Sequence, residues 1–480
     1  MTTLNNFSKL HEITEQAIDW AFLNGLTMVK ARSEDDIKNN ITNIQHLPFS
    51  LLPSKMPKIL YQQALHLAKD FNMLVHNLSR DFNFIQNTLK NVQDEFTQNL
   101  LNIHRIVTAE GIKQNVSLGI FRSDYMIHQP NDIDTPLLYQ VELNTISSSF
   151  GSLSSKVFEL HKYLIEYNQL EEYDLKSHPE NKSLDLIVHH LARAFDFYTN
   201  GSSRSTTNNT KVIMMIVQKC ERNIFDQKWI QLKLLNDHRI KLIRKTLREV
   251  YDNAKLTESG QLIIDGQEVV ISYYRAGYTP NDYYGKEEWD ARLLIEKSKS
   301  IKCPTIAHHL VGAKKIQQAI ANDSLLEKYI KDPEALKRMK ASFTGLYSLS
   351  KEDIDIEVVK KAIENPHLYV MKPQREGGGN NIYNGKVAES LRTMTRDELS
   401  SYILMDKIVS KPYKANIIKD RELIEIDALY ELGIFGLFIS EGDEIRYNEE
   451  GGVLLRTKNS SSDEGGVAAG FAVVDSFVLF

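Results

Sequence analysis

The sequence predicts a mixed α/β (α+β) protein built from several structural units, and three observations carry that prediction. The chain has 480 residues, about three times the usual domain length. Apolar residues at helical spacing alternate with short apolar runs bounded by turn residues, the pattern of helices interleaved with strands. Composition is that of an ordinary globular chain, 42% hydrophobic and 25% charged. That excludes disordered, collagenous and disulfide-scaffold classes.

The first ~115 residues read as helical, with Ile59, Leu60, Ala64, Leu65, Ala68 and Phe71 as a stripe that Leu74, Leu78, Phe82 and Ile85 continue. Such a stripe is core packing. Residues 118–126 and 137–145 read as strands, and 150–168 as a helix. The polar, Asn-rich run 199–210 is a loop that opens a second unit. There 211–219 is a buried strand, 224–236 a helix, and 262–274 a strand pair turning at Asp265-Gly266. Residues 313–330 and 334–343 are helical. A third unit begins near Leu349: 368–372 is a strand, 388–401 is mostly helical, and 402–408 is a strand. Residues 422–440 read as two strands joined at Leu432-Gly433, and 465–480 as a small-residue loop followed by one apolar strand.

Lys+Arg total 58 against 63 Asp+Glu, a net charge of -5. A mildly acidic chain is a poor nucleic-acid binder, although a local basic pocket for a small anion is allowed. No apolar run approaches the ~20 residues that span a bilayer, and the first ten residues lack a signal-peptide layout. The two cysteines, Cys220 and Cys303, have neither disulfide-framework nor zinc spacing. The sequons at Asn200, Asn208 and Asn459 are then chance matches, and a cytoplasmic enzyme is the expectation.

Five segments carry chemistry. Lys372, Pro373, Gln374, Arg375, Glu376, Gly377, Gly378, Gly379, Asn380 and Asn381 form a glycine-rich loop after a strand. Glycines let backbone N–H groups approach an anion, and the two cations neutralise phosphate. Glu376 would repel phosphate unless a cation sits between them, which implies magnesium. No Gly-Lys-Ser/Thr follows, so this is not a P-loop. Glu142 and Asn144 lie two apart on a strand and face the same side, while Val141 and Leu143 face the core. Two oxygen ligands on one strand suit a hard cation. Arg456 and Lys458 precede a small-residue loop that can act as a lid over an anion. The polar run at 221–227 follows a buried strand, and the carboxyl end of a parallel strand is a ligand site; Asn and Asp there also serve as helix caps. Arg275 can hold a carboxylate bidentately or pair with a surface acid. Each segment alone also fits a solvated loop or strand face.

Together they resemble the eukaryotic glutathione synthetases, a family of ATP-grasp ligases. The resemblance rests on FRSDYM at 121–126, ELNTISSSFG at 142–151, ERNIFDQ at 221–227, RAGY at 275–278, GAKK at 312–315, KPQREGGGNN at 372–381, ELGIFG at 431–436, and LLRTK with GGVAAG between 454 and 470. It covers about residues 115–475 in the family's order. It implies an ATP-grasp main domain formed by residues 1–204, 314–347 and 429–480, a parallel-sheet substrate domain at 205–313, and an α+β lid at 348–428. The activity implied is ligation of γ-glutamylcysteine and glycine at the expense of ATP, through an acyl phosphate.

The resemblance also assigns residues. Glu142, Asn144 and Glu376 would hold about two magnesium ions. Lys314 and Lys372 would contact ATP phosphates, the loop from Gln374 to Asn381 would close over them, and Tyr383 would lie nearby. Met405, Asp406, Lys407 and Ile408 would read adenine. Glu431, Lys458 and Glu464 would complete the nucleotide site. Arg122, Ile146, Ser147, Ser148, Ser149, Glu221, Arg222, Asn223, Gln227, Arg275, Ala276, Gly277, Tyr278 and Arg456 would hold γ-glutamylcysteine, with Val467 and Ala468 contacting it on closure. Arg122 would also stabilise the transferring phosphoryl group, and Arg456 would act beside it. Asp406 stands where the family usually has glutamate, and Glu464 where it usually has aspartate. The intact Ala468-Ala469 points to glycine as acceptor, rather than the β-alanine of homoglutathione-type relatives. Family members are homodimers acting on small molecules, which implies a homodimer here and no nucleic-acid or membrane partner.

Overall fold

Long strands carry the architecture. The computed structural model describes residues 7–30, 42–131, 135–200, 209–377 and 379–480. Val116–His128, Leu137–Asn144, Glu422–Glu441 and Glu444–Asn459 lie side by side in a seven-stranded sheet. Ala472–Asp475, Phe49–Ser50 and Tyr413–Lys419 continue it in that order. Its pairings are antiparallel except Phe49–Ser50 with Ala472–Asp475. Segments from both ends of the chain therefore share one sheet, and residues far apart in sequence become neighbours.

Both faces of this sheet are covered. Leu432 and Ile434 pack on one side with Leu74 and Phe71 of the helix Lys58–Ser79. Phe435 and Leu437 pack on the other with Leu153 and Leu191, from the helices Gly151–Asn168 and Ser183–Asn200. A second sheet has Lys211–Ile216 parallel to Leu242–Lys245 and to Gln267–Tyr274, with Ile301–Cys303 parallel beyond. Leu262–Ile264 and Ala254–Leu256 add antiparallel edge strands. A third, four-stranded antiparallel sheet runs Leu346–Ser348, Tyr402–Asp406, Tyr369–Pro373, Ile382–Tyr383. Its core is small, centred on Leu349, Met371, Val387 and Leu404.

Several sequence expectations are corrected. Residues 422–440 are not two strands but part of one, Glu422–Glu441. Gly433 makes no turn. A Cβ there would stand 2.6 Å from Asp124 Oδ1 and 2.8 Å from Arg122 Cδ, so glycine makes room for those side chains. The first 115 residues contain short strands at Thr27–Val29, Ile44–His46, Phe49–Ser50 and Ser54–Met56. Two or three residues show no alternation, and Phe49–Ser50 and Ser54–Met56 pair with segments more than 350 residues away. The helical run 313–330 is broken into Lys314–Ile320 and Asp323–Tyr329, where the Asn322 side chain caps the second helix. Residues 465–480 hold two short strands, Ala472–Asp475 and Phe477–Leu479. Ile59 of the expected stripe is 75% exposed, and Leu67 is buried instead. Of the loop at 199–210, residues 201–208 lie outside the described residues, and Thr199 and Asn200 end a helix.

Candidate active site

Strand alternation builds the centre of the site. Arg122 lies opposite Asn144 and Asp124 opposite Glu142 in the pairing of Val116–His128 with Leu137–Asn144. Directly opposed residues share a face, so all four side chains emerge on one side. Leu143 points away into the core, as alternation predicts. Arg456 and Lys458, two apart on Glu444–Asn459, lie opposite Glu431 and Leu429.

Asp124 is fully buried and draws these groups together. Arg122 Nε and Nη2 donate to it at 2.6 and 2.8 Å, Arg456 Nη2 at 2.8 Å and Asn144 Nδ2 at 2.9 Å. Arg456 also pairs with Glu431. Burial pushes the Glu431 carboxyl up, with Arg456 opposing. Sequence reasoning gave Asp124 no role. The signal was present, because Asp124 follows Arg122 by two residues on a strand.

Lys314 begins a helix and is buried. Its Nζ stands 3.1 Å from Glu142 Oε2 and 3.1 Å from Glu376 Oε1. Burial works against both carboxylates. At Glu142 the ammoniums of Lys314 and Lys372, with Arg456, overcome it and hold the carboxyl well below the usual range. At Glu376 burial, with the charge of Glu142, pushes the carboxyl up to about 7 despite Lys314. Lys372 Nζ donates to the Val141 carbonyl at 2.6 Å, and burial lowers its pKa.

The glycine-rich loop is pinned from several sides. Gln374 Oε1 accepts from Lys315 N at 3.0 Å, and Arg375 pairs with Asp94. Gly377 has a φ of +79°, and a Cβ there would lie 3.2 Å from the Tyr278 ring. Gly378 lies outside the described residues. Gly379 N donates to Glu464 Oε2 at 2.7 Å, Asn380 Nδ2 to Gly377 O at 2.9 Å, and Asn381 Nδ2 to Tyr383 OH at 3.0 Å. Lys458 Nζ donates to Asp463 O at 2.8 Å and Lys407 Nζ pairs with Asp463 at 3.1 Å. Asp463 thus ties two expected nucleotide residues and was itself missed. Pro373 and Met405 sit in adjacent strands of the four-stranded sheet, where Asp406 accepts from Tyr347 OH at 3.2 Å. Ile408 lies two residues beyond the strand that ends at Asp406.

At the carboxyl ends of the parallel strands, Glu221 accepts from Asn223 N at 2.7 Å and from Gln227 Nε2 at 2.8 Å. Arg222 Nη1 donates to Ala468 O at 2.5 Å. Arg275 is buried and donates through Nη2 to Asp226 Oδ2 at 2.8 Å, while its Nε and Nη1 have no protein partner. Both side-chain atoms of buried Asn223 are also unpartnered. Such orphaned buried donors and acceptors are costly, which makes them fitting contacts for a polar ligand. Asp226 additionally accepts from Ser152 N at 2.8 Å and Phe150 N at 3.1 Å. It therefore caps the helix Gly151–Asn168 while it holds Arg275. Ser147 Oγ donates to Tyr274 O at 3.2 Å, and Ser149 O accepts from Arg122 at 3.3 Å. Gly277, at φ +90°, donates to Asp282 Oδ2 at 2.7 Å, and Tyr278 is pushed up to about 12 by burial.

These elements enclose a cavity of about 750 Å³ that gathers Arg122, Glu142, Asn144, Glu376 and Arg456. Ile146 through Ser149, Tyr278, Arg375, Gly377, Asn380, Val467 and Ala468 also line it. Glu221, Arg222 and Ala276 line instead a neighbouring cavity of about 890 Å³, and Gln218 lines both. Residues 405–408, expected to read adenine, and Glu431 and Lys458 do not line the central cavity.

The model of the "Eukaryotic glutathione synthase, ATP binding domain" matches residues 7–479. The chain is 58% identical to glutathione synthetase of Dictyostelium discoideum, over 98% of this chain and 99% of that one. It is 37% identical to glutathione synthetase of Homo sapiens, over 98% of each. Among solved structures, a glutathione synthetase-like effector of Globodera pallida superposes with a TM-score of 0.77 at 22% identity, covering 98% of this chain and 97% of that one. At that identity the likeness speaks for the fold alone. No described helix is long and apolar enough to cross a membrane. With a family model spanning nearly its whole length and full-length relatives at these identities, the chain belongs to the eukaryotic glutathione synthase family.

Proposed function

We propose that this chain ligates γ-glutamylcysteine to glycine, with conversion of ATP to ADP and phosphate through an acyl phosphate. The observation that supports this most is Lys314, held between Glu142 and Glu376, the two carboxylates that line one cavity with Arg122 and Arg456. A phosphoryl transfer to a carboxylate brings several negative charges together, and preorganised cations in a dry cavity stabilise that arrangement.

In this reading the buried, half-unpartnered Arg275, with Asn223, Gln227 and Glu221, holds γ-glutamylcysteine and presents its C-terminal carboxylate at Arg122. The carboxylate attacks the γ-phosphorus of ATP, ADP leaves, and Arg122 and Lys372 offset the charge at the transferring group. The glycine amine then attacks the acyl carbon, phosphate departs, and the amine proton passes to solvent or phosphate. The glycine-rich loop and the loop at 465–470 exclude water, since an acyl phosphate hydrolyses readily.

Magnesium fits the residues present. Glu142 and Glu376 offer carboxylate oxygens, and Asn144 has committed its amide N–H to Asp124 and the Arg122 carbonyl, which leaves its Oδ1 available. Oxygen donors of this kind suit magnesium, which when bound would neutralise and orient the triphosphate. The adenine would sit against Met405, Asp406, Lys407 and Ile408, and Glu431, Lys458 and Glu464 would complete the nucleotide site.

We assign the units as a main domain from residues 1–204, 314–347 and 429–480, a substrate domain at 205–313 and a lid at 348–428. We further infer a cytoplasmic homodimer that works on small molecules. The test is ADP release with γ-glutamylcysteine, with and without glycine and magnesium. ADP and glutathione in equal amounts, only when every component is present, is the expected result. A folded protein that releases no ADP, or prefers β-alanine to glycine by kcat/KM, overturns this reading or its choice of acceptor, respectively.

A further inference from the structure

The largest cavity described, about 1150 Å³, is not the central one. It lies between the strand Ser54–Met56, the start of the helix Lys58–Ser79, and the strand Tyr413–Lys419. Strand alternation fixes its relation to the nucleotide residues. Glu431 opposes Arg456, whereas Tyr430, one residue earlier, opposes Thr457. Tyr430 lines the large cavity, so this cavity opens on the reverse face of the sheet that carries Glu431, Arg456 and Lys458.

Its walls are aromatic and its rim is cationic. Tyr173, Tyr413, Tyr430 and Phe480 line it, with Tyr413 and Tyr430 edge to face at 5.6 Å between ring centroids. Lys55, Lys58, Lys411 and Lys414 also line it, and no Asp or Glu does among the described residues. That is an unusual local balance in a chain of net charge -5. Lys414 is engaged by Asp427 at 3.0 Å, whereas Lys55 and Lys58 present their charge at the lip. Both are exposed. Ile59, beside Lys58 on the same lip, is 75% exposed although it opens an otherwise well-packed helix.

A buried acid bonded to the lining residue Ser54 is already satisfied. Asp475, below the floor, accepts from Ser54 Oγ at 2.6 Å, Thr457 Oγ1 at 2.7 Å and Ser476 N at 2.7 Å. Ser54 Oγ also meets Tyr413 OH at 2.8 Å, which fixes the floor as a polar-backed aromatic surface.

We propose that this reverse-face cavity is a second ligand site, and that it takes a small organic anion with an aromatic body. Rings would stack on Tyr413 and Tyr430, and a carboxylate, sulfonate or phosphate would face Lys55 and Lys58. The site is separate from the ligation chemistry, and its occupancy does not depend on turnover.

Anilinonaphthalene sulfonate is a suitable probe, titrated by fluorescence into the full-length protein in the presence and absence of saturating Mg·ADP. The expected result is saturable binding of one probe per chain that Mg·ADP does not displace. The double variant Lys55→Glu/Lys58→Glu should weaken it by about tenfold or more, with unchanged ADP release in the ligation assay as the folding control. Uncharged N-phenylnaphthylamine should bind less tightly than the sulfonate. Non-saturating fluorescence, displacement by Mg·ADP, a smaller effect of the double variant, or equal binding of the uncharged ring would each overturn the proposal.

Discussion

The backbone N–H of Gly379 donates a 2.7 Å hydrogen bond to the carboxylate of Glu464. This joins the glycine-rich loop to the loop before Gly465 and Gly466. The Glu464 side chain makes this reach across the two loops. Removing it should loosen closure over nucleotide. Glu464→Ala should raise KM for ATP about threefold to tenfold, the range of one ordinary net hydrogen bond. Glu464→Gln, which keeps an acceptor, should stay near the parent. Steady-state kinetics with varied ATP reads both.

Asp124 holds Arg122, Arg456 and Asn144 from behind, and it touches no expected ligand itself. Asp124→Asn keeps the shape but removes the charge that orients two guanidinium groups. Changes to such supporting partners commonly cost about 10–100-fold in activity. The loss should appear in kcat, and the melting temperature should fall as well, because Asp124 is the buried partner of both Arg122 and Arg456. A variant that retains full kcat would show that the arginines orient themselves.

Lys314 is the cation between two buried carboxylates. Lys314→Ala should leave Glu142 and Glu376 without the ammonium that bridges them, a defect worth about 3–5 kcal/mol when one member of a buried ion pair is removed. Calorimetry should show a lower melting temperature than the parent, and added magnesium should restore part of the difference. Loss of stability with no magnesium response would count against the metal assignment of Glu142 and Glu376.

Glu376 gives a pH signature. Burial raises its folded value from 4.5 to about 7. Between those values the folded state holds the proton that the unfolded state has lost, so stability falls as pH rises through this window. The group's contribution is fully favourable below 4.5 and gone above about 7. In ligand-free protein, Glu376→Gln should therefore show a smaller loss of melting temperature across this range than the parent.

Much of this centre was legible in the sequence, for a physical reason. Glu142 and Asn144 lie two residues apart on an expected strand, where period-two geometry leaves one choice of face; Arg456 and Lys458 stood out only as cations before a small-residue loop, and the strand Glu444–Asn459 that sets their face was not expected. The turn at Asp265-Gly266 and the strands around it were equally local. What escaped depends on contacts across the chain. Gly433 looked like a turn because its crowding by Arg122 and Asp124 comes from another strand. Asp226 looked like a cap; it is one, but for a helix some 75 residues earlier in the chain, and its pairing with Arg275 spans 49 residues. Strands such as Phe49–Ser50 exist only because partners from the far end of the chain complete them.

Carboxylate activation is most directly tested by placing heavy oxygen in the C-terminal carboxylate of γ-glutamylcysteine and following it through one round of ligation with ATP and glycine. With both carboxylate oxygens labelled, acyl-phosphate formation puts one heavy oxygen in each phosphate released and leaves the other in the new peptide carbonyl. Phosphate carrying no label, alongside glutathione formation, would contradict it.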